Sequence, residues 1–365
     1  MKLVILGQGS AVPEYSIGRD ESLELALKYF AKTEKDTRAL TALYRMSGVE
    51  KRHSVLLQAP EGAPQDQRQS FMRPPQDESD GGPRLGERMG VYEREAPPLA
   101  LKAAQKALED AGLGPERVTH LVTVSCSGFS APGVDVGLID KLGLSPNVER
   151  AHVGFMGCHG ALNGLRVAEG FARTGVEAVV LLCAVELCTL HYHYGLNREQ
   201  LVSNSLFGDG AAALVGVPRD DPSDAEWSIQ ATGSCLIPDS QDAMTWRVRD
   251  HGFAMTLSPR VPKLIADELR PWMETWLDGE GLSLEDINTW AIHPGGPRIL
   301  SSVTISLDLP RSVTETSREV LREYGNMSSP TILFILERLR AQQAPLPCVA
   351  LAFGPGLMAE ATLFA

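Results

Sequence analysis

The sequence predicts an α/β protein of two similar halves, each a central sheet covered by helices, on three observations. Strand-like and helix-like segments alternate, the alternation occurs twice over, and several strands are continuous apolar runs of the kind buried on both faces. At 365 residues the chain is long enough for two such units. The expected division is 1–220 and 221–365.

In the first half LVILG (3–7) reads as a buried strand. The GQG that closes it is a failed dinucleotide motif, because Val12 stands where the third glycine belongs and Pro13 would disrupt the following helix. Residues 21–47 carry a helical pattern. Pro, Gln, Asp and Gly crowd the stretch from Pro60 to Pro83, which predicts a flexible loop over 55–85. Residues 98–111 form an Ala- and Leu-rich helix stopped by Gly112. HLVTVSC (120–126) is strand-like and GLIDKLGL (137–144) is a short helix. ERAHVGF (149–155) leads into Cys158, and 159–174 is a helix ending at Gly175. EAVVLLCAVEL (177–187) is a buried strand, and FGDGAAALVGV (207–217) is a turn followed by another.

The second half repeats the theme. WSIQATGSCLI (227–237) is a strand and 258–278 an amphipathic helix. INTWAIHPGG (287–296) is strand then turn, and NMSSPTILFILERLRA (326–341) is a helix. CVALAFGPGLMAEATLFA (348–365) supplies two strands around a Gly-Pro-Gly turn.

Composition narrows the function. A hydrophobic content of 43% with 22% charged residues is that of a soluble globular protein. A formal net charge of −12 argues against a general nucleic-acid or anionic-membrane binder. The six cysteines form no CxxC and no zinc-type cluster with histidine, so they are expected as free thiols in a reducing, cytoplasmic setting with no metal site. The N-terminus lacks the pattern of a signal peptide, and no apolar run reaches the ~18 residues of a membrane span.

Chemistry concentrates at three junctions. Cys158 sits between two glycines where a strand feeds a helix, at the positive end of the helix dipole, which favours thiolate over thiol. A small buried hydrophobe filling a tight turn is the competing reading. His293 follows an apolar strand in AIHPGG, and Asn326 opens a helix in EYGNMSS, where asparagine is commonly only a cap. Together the three make a nucleophile, a charge partner for its thiolate, and a neutral hydrogen-bond donor. No acidic residue flanks any of them in sequence.

The stretches GFMGCHGALNGLRVA, LFGDGAAALVG, AIHPGGPRIL, EYGNMSSPTILFIL and AFGPGLMAEATLF, in this order and spacing, resemble the type III polyketide synthases of the chalcone/stilbene synthase superfamily. ERMGVYEREAPPLA resembles bacterial members. The likeness runs from about residue 86 to the C-terminus, and more weakly over 1–53. It implies a duplicated thiolase-type αβαβα fold, a homodimer, and acyl-CoA and malonyl-CoA as substrates with no other cofactor. Cys158 would carry the acyl chain, His293 would stabilise its thiolate, and His293 with Asn326 would hold the thioester oxygen while malonyl-CoA loses CO₂. Phe207 matches the family's aromatic gate, and Gly354, Pro355 and Gly356 match the loop shaping the cavity floor.

Departures from the plant pattern bear on substrate. Met255 stands at the second gate position, and Cys126, Cys188 and His191 occupy cavity positions that are threonine there. Soft, small groups suggest an apolar, adaptable pocket. His191 is a polar group that orients a chain or caps a strand. Of the basic CoA contacts only Arg45 matches, and Arg298, after Gly295 and Gly296, is placed to clasp a phosphate in compensation. The expected product is an alkylpyrone or alkylresorcinol from a fatty starter. A malonyl-primed tetrahydroxynaphthalene synthase, a single-round β-ketoacyl synthase III-like or hydroxymethylglutaryl-CoA synthase-like enzyme, a cysteine hydrolase and a non-catalytic scaffold stay open.

Overall fold

The computed structural model describes residues 1–77, 79–223 and 226–365. In chain order its elements begin with β1 (Lys2–Ala11), β2 (Ser16–Gly18), α1 (Arg19–Phe30), α2 (Glu34–Met46), β3 (Lys51–His53), α3 (Gln65–Arg68) and α4 (Leu85–Ala111). Next come β4 (His120–Ser125), α5 (Val134–Leu142), β5 (Glu149–Gly154), α6 (Gly160–Ala172), β6 (Val180–Leu187), α7 (Arg198–Leu206) and β7 (Asp209–Arg219). The second half holds β8 (Ile229–Leu236), β9 (Met244–Arg249), β10 (Gly252–Leu257), α8 (Val261–Asp278), β11 (Thr289–Ile292) and α9 (Pro297–Leu307). It ends with α10 (Glu315–Tyr324), α11 (Pro330–Ala341), β12 (Cys348–Gly354) and β13 (Met358–Phe364).

Two sheets form the frame, one ordered β1-β7-β6-β4-β5 and the other β11-β12-β13-β8. Alternate residues of each strand serve different cores, as the pleat requires. Val122, Leu182 and Leu214 of the first sheet and Ala291 and Ala350 of the second face one shared core, filled by α6 and α11. Leu121, Cys183 and Val215 point the other way onto α4. Val349, Leu351 and Ala361 of the second sheet pack outward on α8 and α9. The stack is helix, sheet, helix, sheet, helix, the expected thiolase-type αβαβα arrangement. Gly7 and Gly9 serve this packing: a Cβ on Gly7 would fall 2.4 Å from the Ala107 carbonyl oxygen of α4.

Several local expectations need correction. The 21–47 pattern is two helices, broken at residues 31–33, where Thr33 and Asp36 form a capping box that starts α2. The helix expected from 98 begins at Leu85 and carries Pro97 and Pro98 inside it. The turns upstream of the Ala- and Leu-rich run bury Arg88, Met89, Val91 and Tyr92, and that packing carries the helix through both prolines. Residues 326–329 are not helical, since Ser328 takes a left-handed φ of 58° just before α11. The β9–β10 hairpin and α7, α9 and α10 were not anticipated.

The loop expected over 55–85 is irregular apart from α3, and its residue Glu78 lies outside the described residues. It is well tied down around Arg68, whose guanidinium is only 2% exposed. That group bonds both oxygens of Glu21 at 2.7 and 2.9 Å and the Ser16 carbonyl at 2.7 Å.

Candidate active site

A sharp elbow presents Cys158. After β5 the chain passes through Phe155 at φ 59° and Gly157 at φ 70°, then makes one 3₁₀ turn, Gly157–His159, into α6. Gly157 must be glycine for a second reason: a Cβ there would lie 2.6 Å from Cδ of Pro355. The Gly354–Pro355–Gly356 turn is thereby pressed against the nucleophile's own turn, and a Cβ on Gly354 would meet the His159 ring at 2.2 Å.

Asn326 arrives from the other half. Parallel bridging to Phe207 holds it, with its N–H on the Leu206 carbonyl at 2.8 Å and its carbonyl accepting from Gly208 at 3.0 Å. The Asn326 Oδ1 accepts the Ser328 N–H at 2.7 Å, and both Oδ1 and the donor Nδ2 lie 3.9 Å from Cys158 Sγ. Asn326 is therefore not the cap of α11, whose N-cap is Ser329. His293 extends β11 by donating its N–H to Leu351 O at 2.8 Å, and is 1% exposed. Both its ring nitrogens lack a hydrogen-bond partner among the described residues.

Burial alone opposes the expected thiolate. It pushes the Cys158 thiol up to about 11, against the pull of the Ser328 hydroxyl and the Asn326 amide. It drives His293 down to about 3, and the adjacent His159 adds to the effect. What favours charge on the thiol here is the N-terminus of α6. This gives a prediction with a definite sign. With His293 as the thiolate partner that the family resemblance implies, His293→Ala removes the counter-charge, so alkylation of Cys158 by iodoacetamide at pH 7 should fall by about 10²-fold. The rate should then climb steadily with pH towards 11. Peptide-mapped rates unchanged by the substitution would remove His293 as the thiolate's partner.

Glu186 is the residue that sequence reasoning missed. It ends β6, is fully buried, and accepts from the N–H groups of Cys126 and Ser127, each at 2.9 Å. The Ser127 and Ser329 hydroxyls each donate to it at 2.6 Å. Burial raises its pKa against these donors, and its charge in turn raises the Cys158 thiol. The absence of a flanking acid in sequence thus does not hold in space. A glutamate inside the apolar run EAVVLLCAVEL was the available hint.

An apolar cavity lies next to this centre; Cys158, His293 and Asn326 do not line it, and Phe207, whose backbone bridges Asn326, connects the two. Phe207, Cys188 and His191 line its inner end, together with Trp246, which was not foreseen. The Trp246 indole N–H donates to the Cys126 carbonyl at 2.7 Å, and its ring meets His191 edge-on at 5.4 Å. The outer end runs between α1 and the 52–72 segment, past Leu25, Tyr29, Leu56, Leu57 and Met72.

Other expected residues fall as follows. His191 stacks on Phe253 at 4.1 Å, with Nδ1 accepting the Phe253 N–H at 2.9 Å and Nε2 on Ser127 O at 2.6 Å. Burial pushes it down to about 3, so it is a neutral wall with no ring nitrogen left to orient a chain. Cys126 is buried with Sγ 3.2 Å from Ser328 Oγ, beside the nucleophile rather than on the cavity wall. Met255 sits opposite Trp246 in the hairpin, half-buried and away from the cavity lining. Arg45 is exposed in the last turn of α2 and Arg298 in the first turn of α9. The two helix ends meet, since a Cβ on Gly48 would lie 2.8 Å from Cγ of Pro297, just past Gly295 and Gly296. Neither arginine is in an ion pair among the described residues.

A half-buried cysteine at a strand–helix elbow, an asparagine donor from the opposite half and a buried unbonded imidazole, set in a layered αβαβα frame, define a thiol-dependent condensing enzyme. The chain belongs to the chalcone and stilbene synthase family, the type III polyketide synthases: the family's N-terminal domain matches residues 2–219 and its C-terminal domain residues 228–365. It is 34% identical over 287 residues to the alpha-pyrone synthesis polyketide synthase-like Pks18 of Mycobacterium tuberculosis, covering 77% of this chain and 73% of that one. It is 30% identical to the 1,3,6,8-tetrahydroxynaphthalene synthase of Streptomyces peucetius subsp. caesius, over 97% of this chain and 90% of the other. Among solved structures, PKS-I from the brown alga Ectocarpus siliculosus superposes with a TM-score of 0.90 at 29% identity, covering 100% of this chain and 98% of that one. No helix among the described residues is long and apolar enough to cross a membrane.

Proposed function

We propose that this type III polyketide synthase loads a fatty acyl starter on Cys158, extends it with malonyl-CoA, and releases an alkylpyrone or alkylresorcinol. Cys158 Sγ attacks the acyl-CoA carbonyl and expels the CoA thiol, with His293 taking and returning the proton. Malonyl-CoA then loses CO₂, and its C–C bonding pair becomes an enolate whose oxygen is held by Asn326 Nδ2 and His293. That enolate attacks the Cys158 thioester and expels the Cys158 thiolate, which then attacks the lengthened acyl-CoA and releases CoA thiol, and the cycle repeats before ring closure. Neutral or cationic donors in a dry site stabilise this enolate because they need no reorganisation. Arg45 and Arg298, on two helix ends that meet, suit the phosphates of CoA, and no further cofactor is invoked.

The cavity is the observation that carries the starter assignment. It leads from Cys188 and Phe207 outward past Leu25, Leu56 and Met72, a largely apolar path suited to methylenes. The similarity to the pyrone-forming relative points the same way. Each buried CH₂ contributes about 0.8 kcal/mol, so efficiency should climb with starter length until the path is full. A panel of acyl-CoAs with malonyl-CoA, read by mass spectrometry, checks this. Cys188→Phe should shorten the preferred starter, since overfilling costs roughly 1–3 kcal/mol. A pentaketide made at full rate from malonyl-CoA alone, with fatty acyl-CoAs no better than acetyl-CoA, would instead identify a tetrahydroxynaphthalene-type synthase.

We further propose a homodimer working in the cytoplasm. β5 ends its sheet with one edge unpaired, and beside it Phe129, Phe155 and Met156 are 52%, 37% and 44% exposed. A second copy is the natural cover for an open edge flanked by aromatic surface. The six free cysteines suit a reducing compartment.

A further inference from the structure

At the outer end of the cavity two consecutive leucines line two voids at once. Leu56 and Leu57 line the apolar cavity, and they also line a second, larger cleft. That cleft is polar, walled by Gln58, Arg73, Asp80, Glu87 and Arg94. Both leucines are half-buried and lie outside any helix or strand.

Their position is nevertheless fixed from both sides. The Val55 N–H donates to the buried Asp209 carboxylate at 2.9 Å, and the Leu56 N–H to Ser54 Oγ at 3.1 Å. The Leu57 N–H reaches Ser54 O at 3.3 Å, and the Gln58 N–H reaches Arg68 O at 2.8 Å. Arg68 is itself clamped by Glu21. Asp209 also accepts the Thr189 N–H at 2.8 Å, one residue after cavity-lining Cys188, so the partition is referenced to the catalytic end. A segment anchored this way is a wall.

We propose that Leu56 and Leu57 are specificity-determining residues that set the longest starter this enzyme takes efficiently, by separating the apolar cavity from the polar cleft. The inference rests on the fatty-starter reading above. Each methylene inside the cavity raises efficiency about four-fold. A methylene that passes the leucines enters a wet, charged cleft and gains nothing, and threading it between them forces two tethered side chains apart.

The test is kcat/KM for saturated acyl-CoAs from butyryl to stearoyl, measured on the wild-type enzyme, Leu57→Ala, Leu56→Ala and Leu57→Phe. The wild type should show an optimum length. The alanine variants should move it to longer chains by about two carbons or more, and Leu57→Phe to shorter ones by a similar amount. Substitutions of opposite sense keep the result readable should one variant fold poorly. An optimum that none of the soluble variants moves overturns the partition while leaving the fatty-starter reading in place. A wild type with no dependence on chain length overturns that reading, and the partition with it.

Discussion

Cys158→Ala is expected to abolish acyl loading, and with it every product that depends on a covalent chain. The substitution removes one sulfur from a turn whose shape is set by Gly157 and its packing on Pro355, so the fold should persist while the chemistry stops. No other thiol is placed to substitute. Cys126 is enclosed between Ser328 and the Glu186 network, and burial holds its thiol well above the ordinary range. Cys188 is raised in the same way, and Cys183 is pushed up to about 12 inside the outer core. Intact-protein mass spectrometry after incubation with an acyl-CoA should show one adduct in the wild type and none in the variant. An acyl group mapped to any other cysteine would sink the assignment.

The second large effect is expected at Asn326. Its Oδ1 shapes the turn through the Ser328 N–H, and its Nδ2 is the side chain's one donor towards the sulfur, so the side chain has two roles. Asn326→Ala removes both and should lower malonyl-CoA decarboxylation by about 10²–10³, the usual size for one oxyanion donor. Asn326→Asp keeps the acceptor for Ser328 but replaces the donor with an anion next to a thiolate, and should be at least as damaging. If Asn326→Asp preserved the rate and Asn326→Ala did not, the residue would act only by shaping the turn. The same readout within a few-fold of wild type for both would remove Asn326 from the chemistry.

Much of the molecule was legible because its interior is written in local patterns. Continuous apolar runs such as EAVVLLCAVEL and CVALAF mark strands covered on both faces, and Gly112 stops its helix in the left-handed conformation. Failures came where packing overrode a local cue. Pro97 and Pro98 sit inside α4 because the helix face on either side of them is buried. Thr33 splits what periodicity alone reads as one helix, and the 55–85 loop, polar and proline-rich, is clamped by an arginine that composition would leave in solvent.

The site divides in the same way. Cys158, His293 and Asn326 stood out by residue type at strand–helix junctions, together with the surrounding motif, because reactive groups with glycine beside them are a property of the chain itself. The environment of those groups was decided only in three dimensions. Glu186 is separated from Cys158 in sequence by the whole of α6 and most of β6, yet its charge bears on that thiol, because β6 runs beside β4. Trp246 shares a cavity wall with Leu57 across the whole first half. His191 read as a polar group that orients a chain or caps a strand, yet both its nitrogens are taken, one by Ser127 after β4 and one by Phe253, which the hairpin's docking brings to it. Local sequence determines which chemistry is present, since bonding preferences are carried by residues. Burial, hydrogen-bond satisfaction and cavity shape arise from contacts between distant segments, so the folded chain alone decides how that chemistry is tuned and how much room it leaves for substrate.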